Sequence, residues 1–211
     1  MHRDAPLRSY FDVISPFAYL QWPKVKALAA QRDVVLVPVL LAAVLAARGQ
    51  KGPAEIPGKR EFTYRHVLWQ ARQAGVPLQF PPAHPFNPVT ALRLCIAGGC
   101  AVAVVDAVFD WIWVQGKSGD SGEALQPLLR QLGMTADAVV DPAVKDTLRT
   151  HTDAALAAGV FGVPTLQVDG TLFWGNDAHA FALAVLDDPA LLDDPQMRRI
   201  ADLPVAASRK P

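Results

Sequence analysis

Two short stretches of this chain combine residue types that can hold and activate an anion. In the first, Ser15 precedes Pro16 and Phe17. Serine accepts from the first N–H groups of a helix and proline fits the first helical position, so this pair predicts a helix start. The free N–H groups and positive dipole end there favour a negative charge, a sulfur anion included. In the second, Phe161-Gly162-Val163-Pro164-Thr165 sets a proline just before a short apolar run. An X–Pro bond is where a cis peptide occurs, and one here would present an extended backbone edge. Other chemistry finds less support. The five histidines, His2, His66, His84, His151 and His179, have no metal-ligand spacing. Cys95 and Cys100 flank Gly98-Gly99 and read as small buried hydrophobes. Neither that glycine pair nor Gly116-Lys117-Ser118-Gly119 follows a strand, so no phosphate-binding loop is expected.

The elements that must position these motifs follow from periodicity and punctuation. Residues 7–14 read as a strand ending at Ser15-Pro16, and a helix runs to about Gln31, with a kink expected at Pro23. Residues 34–39 form a second buried strand, so a parallel crossover is implied. Residues 40–48 and 59–74 read as helices separated by a proline-containing loop. Residues 76–85 are extended, and Asn87-Pro88 opens a helix to about Ala97. A further helix reaches Val114, and the spacing of Asp120 and Glu123 predicts a capping box for a helix ending at Gly133. Asp141-Pro142 opens a helix that Gly159 closes, a short strand runs to Val168, and Asp169-Gly170 turns it into a partner strand over 171–174. Asp177 is the expected cap of the last helix, through Leu186; the polar stretch beyond Asp187 is expected to be poorly ordered at its end.

That order predicts an α/β chain: a thioredoxin-like domain with an all-helical insertion between the N-terminal strand–helix–strand unit and the C-terminal helix–strand–strand–helix unit. Residues 5–39 and 141–187 would form the discontinuous thioredoxin-like domain, 40–140 the insertion and 188–211 a tail. On such a fold a thiol-handling site joins the start of the first helix to the turn before the third strand. The first position, Ser15-Pro16-Phe17-Ala18, has no cysteine, so dithiol redox chemistry is disfavoured. A serine suits a thiolate that arrives with a cofactor. Its hydroxyl can donate a charge-assisted hydrogen bond of roughly 1.5–3 kcal/mol, which lowers a bound thiol's pKa by about one to two units. The competing view of Ser15 is a helix cap with no further task.

The stretches Phe11-Asp12-Val13-Ile14-Ser15-Pro16-Phe17-Ala18-Tyr19-Leu20, Phe161-Gly162-Val163-Pro164-Thr165 and Phe173-Trp174-Gly175-Asn176-Asp177 together resemble the 2-hydroxychromene-2-carboxylate isomerase family. That family is grouped with kappa-class glutathione transferases and is related to DsbA. The resemblance implies glutathione as cofactor, a small aromatic carboxylate as substrate and a homodimer. It implies that Ser15 stabilises the glutathione thiolate. Val163, held by a cis-Pro164, would pair with the cysteinyl part, and Asn176 and Asp177 would hold the γ-glutamyl end. Ala178 stands where the family usually has arginine, and Gln50 where it often has asparagine. Lys59 is a candidate for a carboxylate of glutathione or substrate. Phe17, Tyr19, Trp69 and His84 are candidates for an apolar substrate wall, with core packing as the alternative for Trp69 and a plain loop histidine for His84. Glu61 and Arg65, four apart, read as a surface pair.

Composition narrows the partners. The 211 residues carry 20 Lys+Arg against 20 Asp+Glu, without the basic excess of a nucleic-acid binder. Half of the residues are hydrophobic (51%), which excludes general disorder. The longest apolar run, 34–47, is interrupted by Pro38 and is shorter than the roughly 20 residues of a membrane span. Residues 1–10 lack an apolar segment, so no secretory signal is expected, and a cytoplasmic location follows. The leading expectation is a glutathione-dependent isomerase; the alternatives are a conjugating kappa-type transferase and a noncatalytic glutathione binder.

Overall fold

The computed structural model describes residues 6–207. Four strands form one mixed sheet in the order β2-β1-β3-β4. β1 (Leu7–Phe11) runs parallel to β2 (Val34–Pro38), with Tyr10 opposite Val37. Between them α1 (Pro16–Ala29) continues uninterrupted through Pro23. β3 (Thr165–Val168) lies antiparallel to β1, and β4 (Thr171–Trp174) antiparallel to β3. Asp169 and Gly170 turn that hairpin at φ of 46° and 86°, the positive values a two-residue hairpin loop needs. This is the thioredoxin-like arrangement.

All helices between β2 and β3 come from the middle of the chain. They are α2 (Leu41–Ala47), α3 (Lys59–Gln73), α4 (Val89–Ala97), α5 (Val102–Phe109), α6 (Gly122–Gln131), α7 (Ala136–Val140) and α8 (Pro142–Ala157). After β4 come α9 (His179–Asp187) and α10 (Pro195–Arg199). One face of the sheet packs Leu7, Leu166 and Phe173 against Ala182 and Val185 of α9. The other packs Tyr10 and Val37 against Ala155 of α8. A larger core joins Phe11, Tyr19 and Trp22 to Phe109 and Trp113 of the middle helices.

Several local expectations change. Ser121, not Asp120, caps α6: its extended backbone lets Oγ accept from Ala124 N at 3.2 Å. The helix expected to reach Val114 widens after α5 into a π turn, Asp110–Val114, in which Trp111, Ile112 and Trp113 are all buried. The wider turn lets three consecutive bulky side chains find the interior. α7 is too short to leave a periodic signal. The stretch after Asp187 is structured through 202, because Leu191 and Leu192 pack against the α9 core; the expected disorder at its very end falls on residues 208–211, outside the described residues.

Trp113 decides how the middle helices meet the start of α1. Its indole stacks on Tyr19 at 6.2 Å, and its Nε1 donates to the Val13 carbonyl at 2.8 Å. Trp113→Phe removes that donor and part of the packed volume. Chemical denaturation should show a loss of about 2–4 kcal/mol.

Candidate active site

Asp12, Val13, Ile14 and Ser15 join β1 to α1 and form the floor of the site. Asp12 is fully buried. One of its carboxylate oxygens accepts from Ile14 N at 3.0 Å and the other from Leu41 N, at the start of α2, at 2.8 Å. Val13 O is held by Trp113, and Ile14 O lies 2.8 Å from His84 Nε2. Ser15 follows as the cap of α1, with Oγ accepting from Ala18 N at 3.3 Å. That bond uses an oxygen lone pair and leaves the hydroxyl proton free to donate. Capping and anion binding are therefore compatible in one side chain.

Ser15 opens on a cleft of about 540 Å³. Phe17 and Pro16 of α1, Leu41 and Leu45 of α2, residues 50–55, Thr63 and Tyr64 of α3, residues 84–86, residues 161–163 and Trp174 line it. Its walls are largely apolar and aromatic, as a pocket for a flat conjugated molecule requires. Val163–Pro164 is cis. Pro164 O accepts from Gly175 N at 2.8 Å, which fixes the loop beside Trp174. Gly162 permits the indole's close approach: a Cβ there would lie 2.6 Å from Trp174 Nε1.

The expected site residues divide. Ser15, Phe17, Gln50, His84 and Val163 share the cleft, with Pro164 directly behind. Tyr19 does not. It is buried against Trp113 and Phe109, its hydroxyl donates to the Pro77 carbonyl, and burial with Asp110 and Asp106 nearby pushes its pKa up to about 12. It sits on the face of α1 that meets α5, where a core aromatic is needed. Trp69 also lies off the cleft, more than half exposed on α3 and stacked on His66. Lys59, at the first position of α3, does not line the cleft; Lys51 does. Asn176 and Asp177 follow the lining residue Trp174 but lie outside the lining. Asn176 Oδ1 accepts from Lys24 Nζ at 2.9 Å. Asp177 does not cap α9, whose N-cap is Ala178, because the turn continues one residue beyond the expected cap. Glu61 and Arg65 form the expected surface pair at 2.6 Å.

Phe161, Trp174, Lys51 and Tyr64 also line the cleft, beyond the residues expected there. Phe161 and Trp174 are partly exposed and pack edge to face at 5.4 Å at the cleft; both stand inside the quoted motifs, so the signal was present. Tyr64 had none beyond its type.

Glutathione fits the residues present. The Ser15 hydroxyl faces the cleft, and Val163 makes no backbone–backbone hydrogen bond among the described residues, which leaves its N–H and carbonyl for a peptide.

Residues 7–187 match the DSBA-like thioredoxin domain, the class that sheet and site define. The 2-hydroxychromene-2-carboxylate isomerase of Sphingobium xenophagum is 31% identical over 188 residues, 85% of this chain and 96% of that protein. A solved 2-hydroxychromene-2-carboxylate isomerase superposes with a TM-score of 0.75 at 25% identity, covering 95% of this chain and all of that one. A Caenorhabditis elegans protein named glutathione S-transferase kappa 2 is 25% identical over 77% of this chain and 80% of its own length. The chain belongs to the 2-hydroxychromene-2-carboxylate isomerase family within the DSBA-like thioredoxin class.

Burial raises the Asp12 pKa from its ordinary 3.8 to about 7, against the two backbone donors that favour the carboxylate. A folded value above the unfolded one means the native state binds the proton more tightly. Its stabilising effect is full below about pH 4 and is lost as pH rises through 7. The stability difference between wild type and Asp12→Asn should therefore shift in favour of wild type as pH falls from 7 to 4. Denaturation midpoints at several pH values measure it.

Proposed function

We propose that this protein is a glutathione-dependent isomerase that interconverts 2-hydroxychromene-2-carboxylate and trans-o-hydroxybenzylidenepyruvate, or a closely related aromatic intermediate. The observation that carries this reading is the Ser15 hydroxyl, capped on one side and open on the other to an aromatic-walled cleft. The names of the similar proteins support the reaction, and the kappa-class relative supports glutathione.

Bound glutathione would supply a thiolate nucleophile for reversible addition to the conjugated substrate, which would turn the carbon–carbon double bond into a rotatable single bond. Ser15 holds that sulfur anionic by donating its hydroxyl proton, and the α1 dipole adds to the effect. The Val163 backbone takes the cysteinyl portion as an added strand. Asn176 and Asp177, past Trp174, receive the γ-glutamyl end, and Gln50 offers an amide across the cleft. Phe17, Phe161 and Trp174 flank the ring. Lys51 takes the task first expected of Lys59, because it is the cation among the cleft-lining residues. It faces the substrate carboxylate.

A homodimer and a cytoplasmic location complete the reading. Cys95 and Cys100 are both free thiols, as a reducing compartment favours. No described helix is long and apolar enough to cross a membrane. Sedimentation velocity measures the dimer. A second reading, a conjugating transferase, draws on the kappa-class relative; the same Ser15 would serve it.

An ultraviolet assay of the ring-closed substrate, with and without glutathione, tests the main reading. Turnover should require glutathione, and Ser15→Ala should lower kcat/KM by about 10- to 100-fold. Wild-type conjugation of a chlorinated aromatic without chromene turnover would favour the transferase. Lys51→Ala should raise KM for the carboxylate substrate about two- to fivefold, the range for an exposed ion pair, and leave KM for its methyl ester unchanged.

A further inference from the structure

Tyr64 and His84 line the cleft with Ser15, yet thiolate addition gives them no task. Thiolate addition explains rotation about a carbon–carbon bond. It does not explain how the ring opens. A 2-hydroxychromene carries its hydroxyl on the carbon bonded to the ring oxygen, so it is a hemiketal. Opening that ring takes a proton from one oxygen and gives one to another.

The geometry of the pair suits such a transfer. His84 Nε2 lies 2.8 Å from the Ile14 carbonyl oxygen. A carbonyl only accepts, so the neutral ring carries its proton on Nε2, and Nδ1 is left as an acceptor. Nδ1 lies 2.7 Å from the Tyr64 hydroxyl oxygen. Arg60 Nε donates to that oxygen at 3.2 Å, and Arg60 Nη2 donates to His84 O at 2.6 Å. The Tyr64 hydroxyl also lies 2.8 Å from His84 O, so if His84 becomes protonated and donates from Nδ1, the phenol proton still has an acceptor.

The groups facing His84 are Arg60 and Tyr64 from α3, the Ile14 carbonyl before α1, and the rings of Phe80, Phe86 and Trp113. Asp12, Lys51 and Glu55 share the cleft. Burial, with Arg60 adding to it, lowers the imidazole pKa from 6.5 despite the Ile14 bond. The ring is neutral, and a base, at neutral pH.

We propose that Tyr64 and His84 are the acid–base pair that opens and closes the hemiketal ring, an inference that rests on the isomerase reading. The hemiketal hydroxyl gives its proton to the Tyr64 oxygen as the Tyr64 proton passes to His84 Nδ1. The electron pair left on the hemiketal oxygen forms the ketone carbonyl, and the ring carbon–oxygen bond breaks. Its pair leaves on the phenolic oxygen, which takes the proton back along the same path. No proton is gained or lost overall. Tyr64 touches the substrate; Arg60 is a positioning residue.

Tyr64→Phe in the full chain with glutathione tests this. The phenyl ring keeps the packing against Phe80 and removes only the hydroxyl. Turnover of the ring-closed substrate should fall about 100-fold or more, while calorimetric glutathione affinity stays within about twofold. Wild-type kcat should fall as pH drops through the His84 pKa followed by NMR, which should lie below the ordinary imidazole value; the variant should lose that limb. A variant with wild-type turnover and pH profile overturns the pair alone. A variant that loses glutathione affinity along with turnover also overturns it, because the hydroxyl would then only hold the loop. A wild type that binds glutathione but never turns over the chromene overturns the isomerase reading and this pair with it.

Discussion

Each residue between β1 and α1 is tied to a different part of the chain, and the site depends on those ties. The Asp12 carboxylate spans from Ile14 N to the first N–H of α2. Val13 O is held by an indole from the π turn, and Ile14 O by an imidazole from the extended segment before α4. Ser15 is thereby fixed at the mouth of α1 with its hydroxyl proton uncommitted. Lone loops of four residues do not hold an oxygen in one place; three hydrogen bonds to separate elements, one buried and two partly buried, do. The same bonds explain why the middle helices matter to chemistry carried by a thioredoxin-like sheet. They supply two of the three anchors and most of the cleft's aromatic wall.

Among the described residues no cysteine lines the cleft, so the proposed reaction takes its thiolate from glutathione. Burial pushes both thiols up: Cys95 well above its ordinary value and Cys100 to about 11. That burial disfavours a thiolate on either cysteine, in keeping with a proposed reaction that draws its sulfur from glutathione. An alcohol at a helix start is enough to serve that sulfur, provided the alcohol does not spend its proton on the cap, and Ser15 does not.

The parallel crossover of β1 and β2, the hairpin at Asp169-Gly170 and Ser15 at the start of α1 were legible from residue pattern, glycine and capping residues. The cis Val163–Pro164 bond, in contrast, came with the fold and its motif: no local rule separates it from the other prolines, and the cis His84–Pro85 bond gave no signal. What failed was the direction in which side chains point. Tyr19 and Phe17 are two residues apart on α1, and one turns to the core while the other turns to the cleft. Lys59 and Lys51 sit at opposite ends of one loop, and only the three-dimensional path of that loop selects between them. The Tyr64–His84 contact joins residues 20 apart with no pattern between them. Asp177 looked like a cap because aspartate so often is one, but the turn runs on to Ala178.

The central claim is that one hydroxyl keeps a borrowed sulfur ionised. Titrating the ultraviolet absorbance of the thiolate in the glutathione complex measures that directly. The account predicts a bound thiol pKa about one to two units below that of free glutathione, restored to the free value in Ser15→Ala. A bound pKa equal to the free one, or a depression that survives the substitution, would contradict it.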